Sequence, residues 1–200
     1  MKIILKIRRA IVRGAIWIYC KIIYRMKITG TENIPRKGAV LICGNHKSFL
    51  DPPLIEVTCK RSDVRFLAKK SLAKNKFFAH LGILFDTILV DRDSSKDMLA
   101  VKETLKGFKN GNCIAIFPEG TRNGLAKGEK VKDGAAFFAL NTDAVVIPVG
   151  IKGGEKLFKK VYVNYGKPID LSEEKKNRKN KETVEKTTKE IMEKICELII

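Results

Sequence analysis

Apolar and polar positions alternate in blocks along this chain, and the block lengths predict its elements. Ala39–Gly44 is a short unbroken apolar run, the pattern of a strand buried on both faces. A helix over Pro52–Lys60, a strand over Val64–Ala68, a helix over Lys69–Leu81 and a strand over Thr87–Val90 follow. Met98, Val101, Leu105 and Phe108 recur at spacings of 3, 4 and 3, with Gly111 just beyond, and mark the clearest helix, Ser95–Lys109. Further strands are expected over Asn112–Phe117, Val145–Val149 and Lys160–Tyr165, with a short helix over Asp133–Leu140. Pro35 and Gly38 make Thr31–Gly38 a loop. Strands alternating with helices predict an α/β fold, a mixed, largely parallel sheet flanked by helices.

The two ends follow other patterns. Lys2, Lys6, Arg9 and Arg13, spaced 4, 3 and 4, form a polar helical stripe, opposite Ile3, Ile4, Ile7, Ile11, Trp17 and Ile18. A broad apolar face with Trp and a basic face predicts an amphipathic helix lying in a membrane interface. The alternative is a helix packed on the domain with its charges solvated. The longest uncharged run, Gly14–Cys20, is seven residues. A span needs about 20 apolar residues and a signal peptide an apolar core of about 7–15 with a small-residue cleavage site, so neither is expected. At the other end Val184, Thr188, Ile191, Ile195 and Leu198 recur at 4, 3, 4 and 3. They predict a C-terminal amphipathic helix docked on the domain, with Ser172 as candidate N-cap and the charged run Glu173–Lys181 solvated. The chain divides accordingly into 1–28, 29–171 and 172–200.

Composition sharpens this picture. The 200 residues carry 40 Lys plus Arg against 22 Asp plus Glu, a net +18, of which +8 falls on residues 1–28 without one acid. Such a chain seeks polyanions: nucleic acid, an anionic membrane or a phosphorylated substrate. With one Trp, four Tyr and no helix-turn-helix, zinc-finger or aromatic RNA-binding motif, no nucleic acid is expected as partner. Five scattered cysteines without a Cys-x-x-Cys pair argue against a disulfide framework or a zinc site and suit a reducing compartment.

Candidate chemistry clusters just after predicted strands. His46 follows the first, Arg92 the third, and Glu119 with Arg122 the fourth. In open α/β sheets ligands gather at the carboxyl ends of strands, so topology alone brings these residues to one edge. His46 and Asp51 are five apart, about 140° on a regular helix, and would not face each other there. Pro52, however, biases Asp51 away from helical backbone, making 45–51 a turn that can fold the carboxylate onto the imidazole. An Asp accepting the Nδ1 proton leaves Nε2 to take a proton from a hydroxyl. Cys43 lies inside the apolar run as a core residue, and Ser48 suits a turn hydroxyl, so no nucleophile accompanies His46. His46 is then expected to activate a substrate hydroxyl directly. Phe117-Pro118-Glu119-Gly120-Thr121-Arg122 sits where a strand exits into a loop; Gly120 permits a tight backbone and Arg122 offers a donor fork for phosphate. The plain alternatives are ion pairs, Glu119 with Arg122 and Arg92 with Asp91 or Asp93. His80, at an apolar helix end, is expected to be structural.

Asn45-His46-x-x-x-x-Asp51, Arg92, the 117–122 hexapeptide and Ile147-Pro148-Val149 together resemble the glycerolipid acyltransferases, most closely the bacterial 1-acylglycerol-3-phosphate acyltransferases, over roughly residues 25–170. The resemblance implies His46 as general base and Asp51 as its orienting partner. The acyl group would pass from acyl-CoA or acyl carrier protein to the free hydroxyl of lysophosphatidate, giving phosphatidate. Arg92 and Arg122 would grip the phosphate, with Lys69 beside them. Glu119, Gly120 and Thr121 would complete the acceptor site, and Ile147-Pro148-Val149 would lie beneath the acyl chain. No metal or bound cofactor is expected; the acyl donor is a co-substrate. The family's apolar N-terminal helices imply a peripheral or monotopic protein on the cytoplasmic face of the cell membrane, with an anionic surface as partner. Asp86 stands where the family has Gly, and Ser71 where it has Glu. Acylation of glycerol-3-phosphate or another lysolipid is the alternative within this chemistry. A basic membrane- or nucleic-acid-binding protein without catalysis is the alternative outside it, and would leave His46 and Asp51 dispensable.

Overall fold

The computed structural model describes residues 2–91, 97–124 and 127–199. One seven-stranded sheet organises them. In chain order the strands are β1 (Lys27–Thr29), β2 (Val40–Gly44), β3 (Val64–Lys69), β4 (Ile88–Val90), β5 (Cys113–Ile116), β6 (Val145–Lys152) and β7 (Tyr162–Tyr165). Across the sheet they run β1-β7-β6-β2-β5-β3-β4. Every pairing is parallel except β6 with β7. The expected α/β architecture is what the chain builds.

β2 is the centre, buried at all five positions. Its alternate side chains feed two cores, Val40 and Ile42 one, Leu41 and Cys43 the other, as a period of two requires. The first core is covered by α1 (Lys2–Ile23) and α2 (Asp51–Thr58), through Cys20, Leu54, Ile55 and, just beyond the helices, Tyr24 and Cys59. The second is covered by α4 (Met98–Lys109), α5 (Gly134–Asn141) and the terminal α7 (Lys181–Glu197), through Phe108, Phe138, Ile191 and Ile195.

Four expectations are corrected. The helix predicted over Lys69–Leu81 is two pieces: Lys69 ends β3, Lys70–Lys74 forms a 3-10 turn, and α3 runs Lys76–Leu84. Asn75 divides them, its side chain accepting from the Phe77 and Phe78 amides as an N-cap. Ser172 does not cap the terminal helix. It is the first residue of a separate short helix, α6 (Ser172–Lys176), with its hydroxyl bonded to Asp170; Asn180 caps α7. The Lys27–Thr29 strand straddles the expected boundary at residue 28 and joins the sheet beside β7. His80 is exposed on α3 rather than packed.

The N-terminal helix docks by its charged side. Arg9 Nε and Nη2 and Arg13 Nη1 all donate to the buried carboxylate of Glu56 on α2, at 2.9–3.1 Å. Arg9 also reaches the Val64 carbonyl, and Arg13 those of Cys59 and Arg61. Ile16 and Cys20 continue this seam. At about 100° per residue, Ile7, Ile11 and Ile18 lie about 160–200° round from Arg9. They are 55%, 66% and 53% exposed, with Ile3, Ile4, Trp17 and Ile22 also in the open. Arg9 and Arg13 face the protein and the apolar stripe faces out, the reverse of a helix packed with those charges solvated, while Lys6, Arg8 and Lys21 stay exposed. Among the described residues no helix is long and apolar enough to cross a membrane.

Candidate active site

Because β2, β5, β3 and β4 are parallel neighbours, their carboxyl ends share one edge. His46 leaves β2 there, the 117–122 segment leaves β5, Lys69 ends β3 and Val90 ends β4. Arg92 lies outside the described residues.

The edge begins with Asn45. Its side chain is buried, donating to the Ile151 carbonyl at 2.8 Å and accepting from the Ile151 amide at 2.7 Å, so it continues the β2–β6 ladder by one rung. That bond fixes where the chain turns. One residue on, His46 Nδ1 lies 2.9 Å from Asp51 Oδ2. The same oxygen accepts the amides of Lys47 and Ser48, each at 2.7 Å. Three donors therefore converge on Oδ2 of a fully buried side chain. Two are backbone N–H groups, so the imidazole must offer Nδ1–H, leaving Nε2 as the acceptor. Asp51 is itself the first residue of α2, not a residue ahead of it; the turn 46–50 supplies the fold-back.

The 117–123 loop holds His46 from the other side. Phe117 stacks on the imidazole with centroids 4.3 Å apart. The His46 amide donates to Glu119 Oε1 at 2.8 Å, and its carbonyl accepts from the Asn123 amide at 2.7 Å. Both backbone groups of His46 are thus bound by this loop. Gly120, at φ +71°, makes the tight turn and donates to the Phe117 carbonyl. Thr121 donates to Glu129 at 2.7 Å. Arg122 is exposed, its guanidinium carbon 3.6 Å from the centroid of the Phe49 ring. A planar cation stacked this way keeps its N–H fork directed outward.

The nearby hydroxyl and thiol are occupied otherwise. Ser48 Oγ accepts from the Leu50 amide and donates to the Gly154 carbonyl. Cys43 is fully buried, and burial pushes its thiol up to about 12. The arrangement is that of a base with an anionic anchor, beside an exposed guanidinium.

Residues 25–152, well over half the chain, match the Acyltransferase family. The chain belongs to that family. It is 35% identical over 161 residues to the 1-acyl-sn-glycerol-3-phosphate acyltransferase of Borreliella burgdorferi, covering 79% of this chain and 62% of that protein. The enzyme of the same name from Bacillus subtilis is 28% identical over 138 residues, 68% of each chain. The crystal structure of the 1-acyl-sn-glycerophosphate acyltransferase from Thermotoga maritima has a TM-score of 0.56 at 27% identity, over 84% of this chain and 71% of that one. The chain thus spans less than two thirds of the length of the Borreliella protein.

In this member of the family the two departures from the family pattern fall in different places. Asp86 has φ +49°, left-handed backbone where Gly is the natural residue and Asp is tolerated. It precedes β4 and accepts from Arg65, near the start of β3, at the far end of the sheet from His46. Ser71 is exposed in the 3-10 turn directly after Lys69. Ile147-Pro148-Val149 lies inside β6, paired with Ile42, Cys43 and Gly44, with Ile147 and Val149 in the core. Asn45, Phe49, Phe117 and Asn123 act in the site through contacts that sequence reasoning did not assign. Asn45 carried a signal: a lone amide directly after a fully apolar strand must find partners when buried.

Proposed function

We propose that this acyltransferase moves an acyl group from a thioester, acyl-CoA or acyl carrier protein, to the free hydroxyl of 1-acyl-glycerol-3-phosphate, giving phosphatidate for phospholipid synthesis. The observation that carries the reading is the His46–Asp51 pair, with Oδ2 fixed by two backbone amides and Nε2 left as a proton acceptor. Nε2 takes the hydroxyl proton as the acceptor oxygen attacks the thioester carbonyl. The tetrahedral intermediate collapses, the C–S bond breaks, and the departing thiolate takes the proton from the imidazolium. Asp51 stabilises that imidazolium. Glu119 keeps His46 in place through its backbone, and Gly120 and Thr121 shape the loop. Arg122, with Lys69 and Arg92, takes the acceptor phosphate; Arg122 is the guanidinium already exposed at the edge. The reaction so written needs only side chains and the two substrates.

The acceptor and product are lipids, so the enzyme works at a membrane surface. The outward apolar stripe of α1 supports this, with Arg8 and Lys21 exposed on its shoulders to meet anionic headgroups. All five cysteines are free, which suits the cytoplasmic face. A nucleic-acid-binding role gains nothing from an exposed isoleucine stripe.

The test presents lysophosphatidate, glycerol-3-phosphate and other lysolipids to the full chain in anionic vesicles, with long-chain acyl-CoA or acyl carrier protein, and follows thiol release. Release that depends on lysophosphatidate supports the proposal. Release with glycerol-3-phosphate alone moves the reaction one acylation earlier, and no release with any pair overturns it.

A further inference from the structure

The antiparallel pair β6–β7 closes through residues 153–161, which read Gly-Gly-Glu-Lys-Leu-Phe-Lys-Lys-Val. Val161 is buried in the core, but Leu157 and Phe158 stand 59% and 65% exposed at the loop's centre. Lys152, Lys156, Lys159 and Lys160 are exposed around them, against Glu155 as the single acid in the stretch. Phe158 has φ +60°, backbone that a bulky L residue adopts only where its surroundings enforce it.

Two bonds tie this loop to functional parts of the molecule. Arg25, in the chain leaving α1, donates from Nη2 to the Phe158 carbonyl at 3.0 Å. Ser48, inside the His46–Asp51 turn, donates to the Gly154 carbonyl at 3.4 Å, and Leu50 lies where a side chain on Gly154 would touch it. The loop therefore bridges the end of α1 and the base of the active site. Its composition repeats that of α1: bare apolar side chains among cations, with no acidic rim to receive a basic partner.

We propose that Leu157 and Phe158 form a second membrane anchor. They insert into the same anionic leaflet as the α1 stripe, while Lys156, Lys159 and Lys160 lie at the headgroups. The proposal rests on the membrane reading given above and extends it. Charge complementarity commits the surface to an anionic bilayer, since a cationic ring around apolar tips matches a layer that is negative outside and apolar beneath. With α1 and this loop both seated, the His46 turn attached to the loop is held against the interface, and a lipid acceptor reaches Nε2 without leaving the bilayer completely.

Trp17 is the single tryptophan of the chain and sits on the outward face of α1, so it reports that helix alone. The double variant Trp17→Phe/Phe158→Trp moves the reporter to the loop. Each protein is mixed with phosphatidylcholine vesicles, with and without phosphatidylglycerol, and with brominated lipids as quenchers. The expected result is a blue shift and quenching at both positions, dependent on phosphatidylglycerol. Phe158→Ser is expected to weaken vesicle partition roughly 10- to 100-fold with an unchanged melting temperature. A Trp17 response without one from the loop reporter overturns the second anchor and leaves the α1 reading standing. Silence at both positions overturns both. A blue shift of the loop reporter without vesicles, growing with protein concentration, means that a second copy covers the tip and also overturns the proposal.

Discussion

Replacing Asp51 by Asn tests what the carboxylate does for His46. Oδ2 accepts from the Lys47 and Ser48 amides as well as from Nδ1, so an Asn must place its carbonyl oxygen there. The imidazole keeps its tautomer and position; what it loses is the negative charge facing the imidazolium. Opposite charges about 4 Å apart at an effective dielectric near 20 attract by about 4 kcal/mol, on the order of 10³ in rate. The Asn amide nitrogen falls on the Oδ1 position, which is buried and has no hydrogen-bond partner among the described residues. Two stranded N–H donors cost about 1–3 kcal/mol, and each kcal/mol lowers the melting temperature of a domain this size by about 2–4 °C. The assay is thiol release from acyl-CoA with lysophosphatidate in anionic vesicles, with a thermal melt of the same preparation. The expected outcome is a kcat about 10³ lower, a KM for lysophosphatidate near wild type, and a melt lowered by a few degrees. A folded Asp51→Asn protein within tenfold of wild-type kcat refutes the electrostatic role.

Other expectations follow from the same contacts. Glu56→Gln leaves the Arg9 and Arg13 guanidiniums without their anion; breaking such a part-buried cluster costs about 3–5 kcal/mol, read as a fall in the urea midpoint, and Glu56→Asp recovers part of it. Arg122→Lys removes both the stack on Phe49 and the planar fork, and raises KM for lysophosphatidate about tenfold with kcat less affected. Asp63 titrates on a clear sign: burial pushes its carboxyl up, the Arg61 hydrogen bond and charge outweigh this, and the folded value lies below the ordinary one. The stabilisation it supplies is complete above an unfolded value of about 3.9 and disappears as pH falls through the lower folded value. Asp63→Asn therefore flattens the acid side of the stability profile, measured by urea melts across that window.

The central elements were legible because local pattern and tertiary role agree. Val40–Gly44 is apolar at four of five positions since both sheet faces are covered, and Asn45 ends the run where the site begins. The His46–Asp51 pairing was legible through the turn that Pro52 implies, although Asp51 belongs to the helix itself. The misread segments are those where a long-range partner or a cap decides. Leu72, Phe77 and Phe78 sustain an apolar pattern across Asn75, and only the cap separates the 3-10 turn from α3. Lys27–Thr29 is too short to announce a strand, and becomes one by pairing with Tyr162–Asn164 far along the chain. The basic stripe of α1 read as a headgroup face because Glu56 lies 47 residues beyond Arg9, and nothing local marks it as a partner. The hold of one Glu119 oxygen on the His46 backbone was not legible either, since that contact requires the β2 and β5 exits to be neighbours.

The most direct test of the account is product identity. The 200-residue chain in anionic vesicles is given lysophosphatidate and an isotope-labelled long-chain acyl thioester, and phosphatidate is measured by mass spectrometry for wild type and His46→Ala. The account predicts labelled phosphatidate from wild type and a yield rate about 10²–10⁴ lower from a folded His46→Ala protein. Labelled phosphatidate formed equally fast by both proteins would contradict it.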